Sequence, residues 1–143
     1  MTKVGNVFSL FYATTNGTDK ALELSIDSKG ILKDKHYNKD IDRAVLITSL
    51  DTYILAQKNG INISYGSLGE NLLMDYNPYN LEVGTQLKIA NVILEISQHC
   101  TLCKSFTQID TKLPKLLKND RGIFARVIDA GIIKDGDDIY LLN

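Results

Sequence analysis

Apolar and polar positions alternate in short runs along most of this chain, and those runs predict strands. Residues 3–13 carry Val4, Val7, Phe8, Leu10, Phe11 and Tyr12, which predicts an opening strand stopped by Thr14-Thr15-Asn16-Gly17. Leu22, Leu24 and Ile26 alternate with polar residues, which predicts a half-buried strand ended by a turn at Ser28-Lys29-Gly30. From Lys33 to Asp40 the chain is polar with few core candidates. That predicts an exposed loop, the kind of segment where binding residues tend to lie. Val45, Leu46 and Ile47 predict a short buried strand.

The period then changes. Thr48-Ser49 offers an N-cap, Asp51 follows in the first turn, and Leu50, Tyr53, Ile54 and Gln57 fall at helical spacing. With Asn59-Gly60 as the stop, this predicts a helix over 50–58. Tyr65-Gly66-Ser67-Leu68-Gly69 reads as a glycine-punctuated loop, and Glu70 to Met74 as extended chain. A turn follows at Asn77-Pro78-Tyr79-Asn80. Leu87-Lys88-Ile89 and Val92 to Ile96, separated by Asn91, predict a hairpin. Leu113, Leu116 and Leu117, with Pro114 near the start, predict a short helix within 111–118. Residues 122–128 read as a strand, with turns at Asp129-Ala130-Gly131 and Asp135-Gly136-Asp137 and a closing strand at 139–142. Many short strands, glycine turns and two helices predict a mainly β fold with a few short helices, a compact β-barrel, closed or partly closed.

Composition narrows the class. At 143 residues the simplest organisation is a single domain over 1–143 with its own core. Hydrophobic residues make up 44% and charged residues 23%, as in an ordinary water-facing globular chain. The net charge of −1 leaves no basic surplus to argue for nucleic acid or an anionic membrane. No apolar run approaches the roughly 18 residues of a membrane span. The first residues lack a signal peptide's apolar stretch and cleavage site. The 2 cysteines, three positions apart, are not a secreted disulfide framework. A reducing cytoplasm is the simplest expected location.

Candidate chemistry gathers between Glu95 and Lys104, which holds both cysteines, Cys100 and Cys103, and also His99. The apolar run from Val92 feeds into it, so a thiol at a strand end is held rigidly and can face a pocket. Lys104 beside Cys103 favours thiolate, the form that attacks, carries sulfur or binds metal. Other readings stay open at this point. Cysteine is often simply buried. A zinc site on Cys100, Cys103, His99 and His36 is conceivable, although neighbours 99 and 100 make poor joint ligands. Thiol–disulfide exchange and a non-catalytic binding module are the remaining readings.

Several segments taken in order resemble one family. Gly30-Ile31-Leu32-Lys33-Asp34-Lys35-His36 precedes Arg43-Ala44-Val45-Leu46. Gly69-Glu70-Asn71-Leu72 follows, and then Ile96-Ser97-Gln98 leading to Cys103. Near the end stand Gly122-Ile123-Phe124-Ala125-Arg126-Val127 and Gly131-Ile132-Ile133-Lys134-Asp135-Gly136-Asp137. In this order they resemble the MOSC domain, named for the C-terminal domain of molybdenum cofactor sulfurases, in its small stand-alone bacterial form. The chain departs from that pattern at Lys33, where the family usually has glycine, at Ala44, where it often has glutamine, and in a shorter cysteine loop.

The resemblance implies a β-rich domain with one key pocket cysteine and an association with molybdenum cofactor (molybdopterin). Some relatives carry sulfur as a cysteine persulfide; others hold the cofactor with cysteine as a molybdenum ligand and reduce N-hydroxylated compounds. Pyridoxal phosphate binding is a property attached to the family in general. Cys103 matches the family cysteine and is the expected catalytic residue and molybdenum ligand, with Cys100 as an additional thiol able to resolve a persulfide. Arg43, Lys35, Arg121 and Arg126 are expected at the phosphate and dithiolene end of the cofactor, since guanidinium forks match phosphate. Asn71 is a candidate for the pterin ring or for shaping the turn after Gly69, and His36 for a ligand contact or for a hydrogen bond with Asp34 inside the loop. The implied partners are the cofactor and a sulfur-donor or electron-donor protein, with no nucleic acid and no membrane.

Overall fold

The computed structural model describes residues 1–100 and 109–142. Its strands are β1 (Thr2–Thr14), β2 (Gly17–Ala21), β3 (Glu23–Asp27), β4 (Gly30–Ile31), β5 (Val45–Ser49) and β6 (Leu72–Met74). They continue with β7 (Gln86–Ile89), β8 (Val92–His99), β9 (Ile123–Asp129), β10 (Gly131–Lys134) and β11 (Asp138–Leu141). A 3₁₀ turn (Ile41–Arg43), helix α1 (Leu50–Lys58) and helix α2 (Leu113–Leu116) complete the described elements. Among the described residues the fold is mainly β, with 45% strand against 13% helix.

Seven strands run in the order β11-β7-β8-β9-β5-β6-β1, and pairing of β1 with β11 closes them into a barrel. Closure needs β1 to serve several neighbours in turn. It pairs with β11 through Thr2 to Asn6, with β6 through Val7 to Leu10, and with β2 through Leu10 to Thr14. Register shifts after Lys3 and after Val7 bend it from one partner to the next. Strands β5 and β6 are parallel, so the chain must cross over between them, and α1 with the loop behind it makes that crossover. A smaller sheet, β10-β3-β4, packs on the barrel: its Leu24, Ile26, Ile31 and Ile133 share one core with Val45, Ile47, Leu94 and Ile96. A second apolar cluster joins α1 to α2 through Phe11, Tyr53, Ala56, Leu73, Leu113 and Leu117. No helix among the described residues is long and apolar enough to cross a membrane.

Three strands, β2, β4 and β10, go beyond the expected set, and the expected strand around Leu22 to Ile26 begins only after Leu22. Leu24 and Ile26 are buried in β3, but Leu22 is 77% exposed at the bend between β2 and β3. Helix α2 occupies only part of the expected stretch; Pro114 lies in its first turn, where a missing N–H costs nothing.

Candidate functional site

The polar loop after β4 is not simply solvated. Asp34 within it is buried and gathers hydrogen bonds from three directions. Its Oδ2 accepts from Ala13 N at 2.8 Å and from Asn71 Nδ2 at 2.9 Å. Its Oδ1 accepts from His36 N at 2.8 Å and lies 3.0 Å from His36 Nδ1. Lys35 N donates to Ala13 O at 2.9 Å, so the loop is fastened along the end of β1. Lys33 (φ 77) and Asn38 (φ 61) adopt left-handed backbone to allow this fold-back.

Asn71 ties β1 to β5 where β6 begins. Its Oδ1 accepts from Leu46 N at 2.9 Å, and its Nδ2 donates to Phe11 O at 3.3 Å as well as to Asp34. Its backbone N–H donates to Leu46 O and its carbonyl accepts from Phe11 N. The side chain therefore extends the β ladder across a gap between strands.

Next to it lies Glu70, with no exposed surface. Its Oε2 accepts from Thr48 Oγ1 at 2.7 Å and from the Tyr53 hydroxyl. Burial pushes the Glu70 carboxyl up, against the lowering by those hydroxyls. Burial also raises the Tyr53 and Tyr79 hydroxyls. Tyr79 accepts from Ser49 N at 2.9 Å and pairs with Thr52 Oγ1 at 2.7 Å. This web pins the crossover loop to α1.

At the rim of these elements is a cavity of about 450 Å³. Its polar lining is His36, Lys39, Asp40, Arg43, Asn71 and Cys100. Leu46, Leu68 and Phe124 form apolar wall. The Arg43 guanidinium stands 5.6 Å from the centre of the Phe124 ring, a cation–π arrangement that keeps the charge at the cavity. Its Nε is 3.9 Å from Asp40. The 3₁₀ turn that carries Arg43 is itself held from outside. Ser97 Oγ donates to Asp42 O, and Arg126 pairs with Asp42 at 3.2 Å.

Cys100 follows β8 directly; its N–H donates to Gly122 O at 3.0 Å. It is 8% exposed and touches a second cavity, also of about 450 Å³, lined by Tyr79, Asn80, His99, Lys118 and Arg121. One thiol thus stands between two cavities, each with cationic side chains.

The expected site residues separate accordingly. His36, Arg43, Asn71 and Cys100 meet at the first cavity. Arg121 lies at the second, its Nη2 donating to Pro114 O at 2.7 Å. Arg126 lines neither; it bridges Asp42 and Glu95, each at 3.2 Å. Lys35 is exposed and lines neither. Cys103, with Lys104, lies outside the described residues. His36 and His99 line different cavities, and among the described residues no group of three His, Cys, Asp or Glu side chains is placed to hold a metal ion.

The Asp34–His36 hydrogen bond is one of the two readings the sequence offered for that loop, but the bonds of Asp34 to Ala13 and Asn71, Lys39 as a lining cation and Phe124 as a platform were not singled out from it. A local signal for the fold-back is Asn38, a residue tolerant of left-handed backbone inside a polar run. It marks a loop that folds back rather than one that extends into solvent.

Comparison with known proteins agrees with this architecture. The MOSC domain family profile matches residues 27–140. The crystal structure of the YuaD protein from Bacillus subtilis superposes with a TM-score of 0.84 at 19% identity, covering 94% of this chain and 93% of that one. YiiM from Escherichia coli superposes at 0.74 with 19% identity, over 96% of this chain and 70% of the other. YiiM from Geobacillus stearothermophilus gives 0.69 at 14% identity, over 99% and 75%. No curated protein sequence matches the chain.

Proposed function

The chain belongs to the MOSC domain family, and from that premise we propose that it binds molybdenum cofactor and reduces N-hydroxylated compounds. The observation that carries this reading is the first cavity. There the Asp34–His36 loop, Arg43, the Gly69–Asn71 segment and the end of β8 come together. These are the segments that carry the sequence resemblance.

The donor set fits the group. Lys39 and Arg43 line the cavity beside Asp40, two cations to one carboxylate, a balance suited to the phosphate of an anionic pterin. A volume of about 450 Å³ falls within the roughly 300–1,000 Å³ of small-molecule sites. When bound, the cofactor supplies a soft, redox-active metal centre, and thiolate is a suitable ligand for it. Cys103 is proposed for that role on the sequence pattern. Arg43 and Lys39 hold the anionic end. Asn71, whose amide is spent on Leu46, Phe11 and Asp34, shapes the wall. Arg126 acts through Asp42, by steadying the turn that presents Arg43. The thiols require a reducing compartment, and the reaction requires an electron-donor protein.

A second reading is supported by the place of Cys100 between the two cavities. If Cys103 carries a persulfide, attack by Cys100 on the inner sulfur gives a Cys100–Cys103 disulfide and releases hydrogen sulfide. A sulfur donor would then replace the electron donor as partner.

The Cys103→Ser variant tests the reductase. Prepared from cells that make the cofactor and assayed on hydroxylamine-type substrates with a reduced dye, it is expected to lose turnover while pterin stays bound. Turnover at the wild-type rate would overturn a mechanism built on that thiol.

A further inference from the structure

We propose that Asp34 and His36 form the proton-delivering pair of the first cavity, acting on the hydroxyl oxygen of an N-hydroxylated substrate. The substrate class rests on the reductase reading above; the chemistry rests on the geometry of the pair.

The two side chains are placed for different tasks. The Asp34 side chain is 4% exposed and the His36 side chain 60%. Here the carboxylate is the buried holder and the imidazole the accessible tool. Ala13 N, Asn71 Nδ2 and His36 N all donate to Asp34 and fix its orientation. That leaves Oδ1 aimed at His36 Nδ1, 3.0 Å away. A carboxylate accepts, so Nδ1 donates, and Nε2 is the ring nitrogen left to exchange a proton. Among the described residues no partner hydrogen-bonds Nε2. His36 lines the cavity together with Lys39 and Arg43, so a ligand held by those cations lies beside the ring. This is the orienting logic of an acid–base histidine: a fixed acceptor sets tautomer and ring angle.

The proton step balances as follows. The N–O bond breaks, and the nitrogen receives two electrons from a low-potential electron donor. The departing oxygen keeps its own hydrogen, takes a second proton from Nε2 of the His36 imidazolium, which returns to the neutral ring with its hydrogen on Nδ1, and leaves as water. The nitrogen takes one proton from solvent, and solvent reprotonates the imidazole. His36 is the catalytic residue in this scheme and Asp34 a positioning residue.

The test uses the full chain with 15N-labelled histidine. N-hydroxyurea is the probe, and urea, which lacks only the hydroxyl oxygen, is the control. His36 should show its hydrogen on Nδ1, and Asp34→Asn should move it to Nε2. N-hydroxyurea should shift the His36 Nε2 signal and leave that of His99 in place, while urea should shift neither. No shift, or the same shift with urea, overturns the proposal. Should Asp34→Asn fail to fold, the wild-type spectra and His36→Gln decide alone.

In cofactor-loaded protein, His36→Gln should lower kcat for N-hydroxyurea reduction by about 10²-fold or more. Pterin content and melting temperature should stay at wild-type values. Loss of pterin would make His36 a cofactor ligand instead, and an unchanged kcat would remove the proton role; either overturns the proposal while the reductase reading stands. A wild-type protein that never reduces the probe overturns the reading and the proton step with it.

Discussion

Glu70 has no exposed surface, and only one of its two carboxyl oxygens is satisfied. Oε2 takes the hydroxyls of Thr48 and Tyr53, whereas Oε1 has no hydrogen-bond partner among the described residues. Burial raises its pKa from the ordinary value of 4.5, so the folded chain holds this proton more tightly than the unfolded one. Stability from this group is full below the ordinary carboxyl range and declines as pH rises toward the raised value. The slope is at most about 1.4 kcal/mol per pH unit. Replacing Glu70 with Gln should remove that decline. Urea unfolding of both proteins from pH 4 to pH 8 measures it as a difference, which cancels the opposite trend from Asp27 and Asp138, whose carboxyls hydrogen bonds lower. Parallel stability curves would contradict the buried-acid account. At this scale the sequence motifs pointed to His36, Arg43 and Asn71, because each lies in a short recognisable string. They allowed an Asp34–His36 hydrogen bond but not the bonds of Asp34 to Ala13 and Asn71, nor Lys39 at the cavity, because these depend on the loop folding back through Lys33 and Asn38.

Elements with purely local causes were legible. Helix α1 spans Leu50–Lys58 as expected, and Ser49 Oγ accepts from Asp51 N at 3.1 Å as its cap. Strands β7 and β8 carry clean alternation and pair across Asn91 as expected. By contrast, β2 is a largely exposed strand paired to β1, with no apolar period to read. Its existence follows from the length of β1. The crossover loop depends on contacts that no pattern shows. Gly66 has φ +90, and a Cβ there would lie 2.8 Å from the Phe11 ring. Its carbonyl accepts from Thr18 Oγ1 at 2.9 Å and its N–H donates to Tyr53. Gly66→Ala should therefore cost about 1–3 kcal/mol in overpacking beyond the backbone term. Gly60→Ala is the matched control, since its φ is +77 but nothing lies within 4 Å. Denaturant unfolding should rank Gly66→Ala clearly below Gly60→Ala; equal losses would contradict the tight seat against Phe11.

For the whole molecule, barrel closure explains why segments distant in sequence share one cavity. The loop after β4, the turn before β5, the segment before β6, the end of β8 and the start of β9 all reach the same rim. A net charge of −1 gave no hint of this, because Lys39 and Arg43 are a local concentration within a balanced surface. The mainly β barrel was readable from strand density and turn spacing. Its strand order was not, since β1 with β11 and β5 with β6 are long-range pairings without a local signature. The central claim is that the rim cavity holds a molybdenum pterin with Cys103 beside it. The direct measurement is molybdenum and pterin content, with intact-mass analysis of the thiols, on protein purified from cells that make the cofactor. The account predicts near-stoichiometric molybdenum and pterin, an unmodified Cys103, and loss of both metal and pterin in Arg43→Glu. Protein without molybdenum or pterin, carrying an added sulfur on Cys103, would contradict it and establish the persulfide reading in its place.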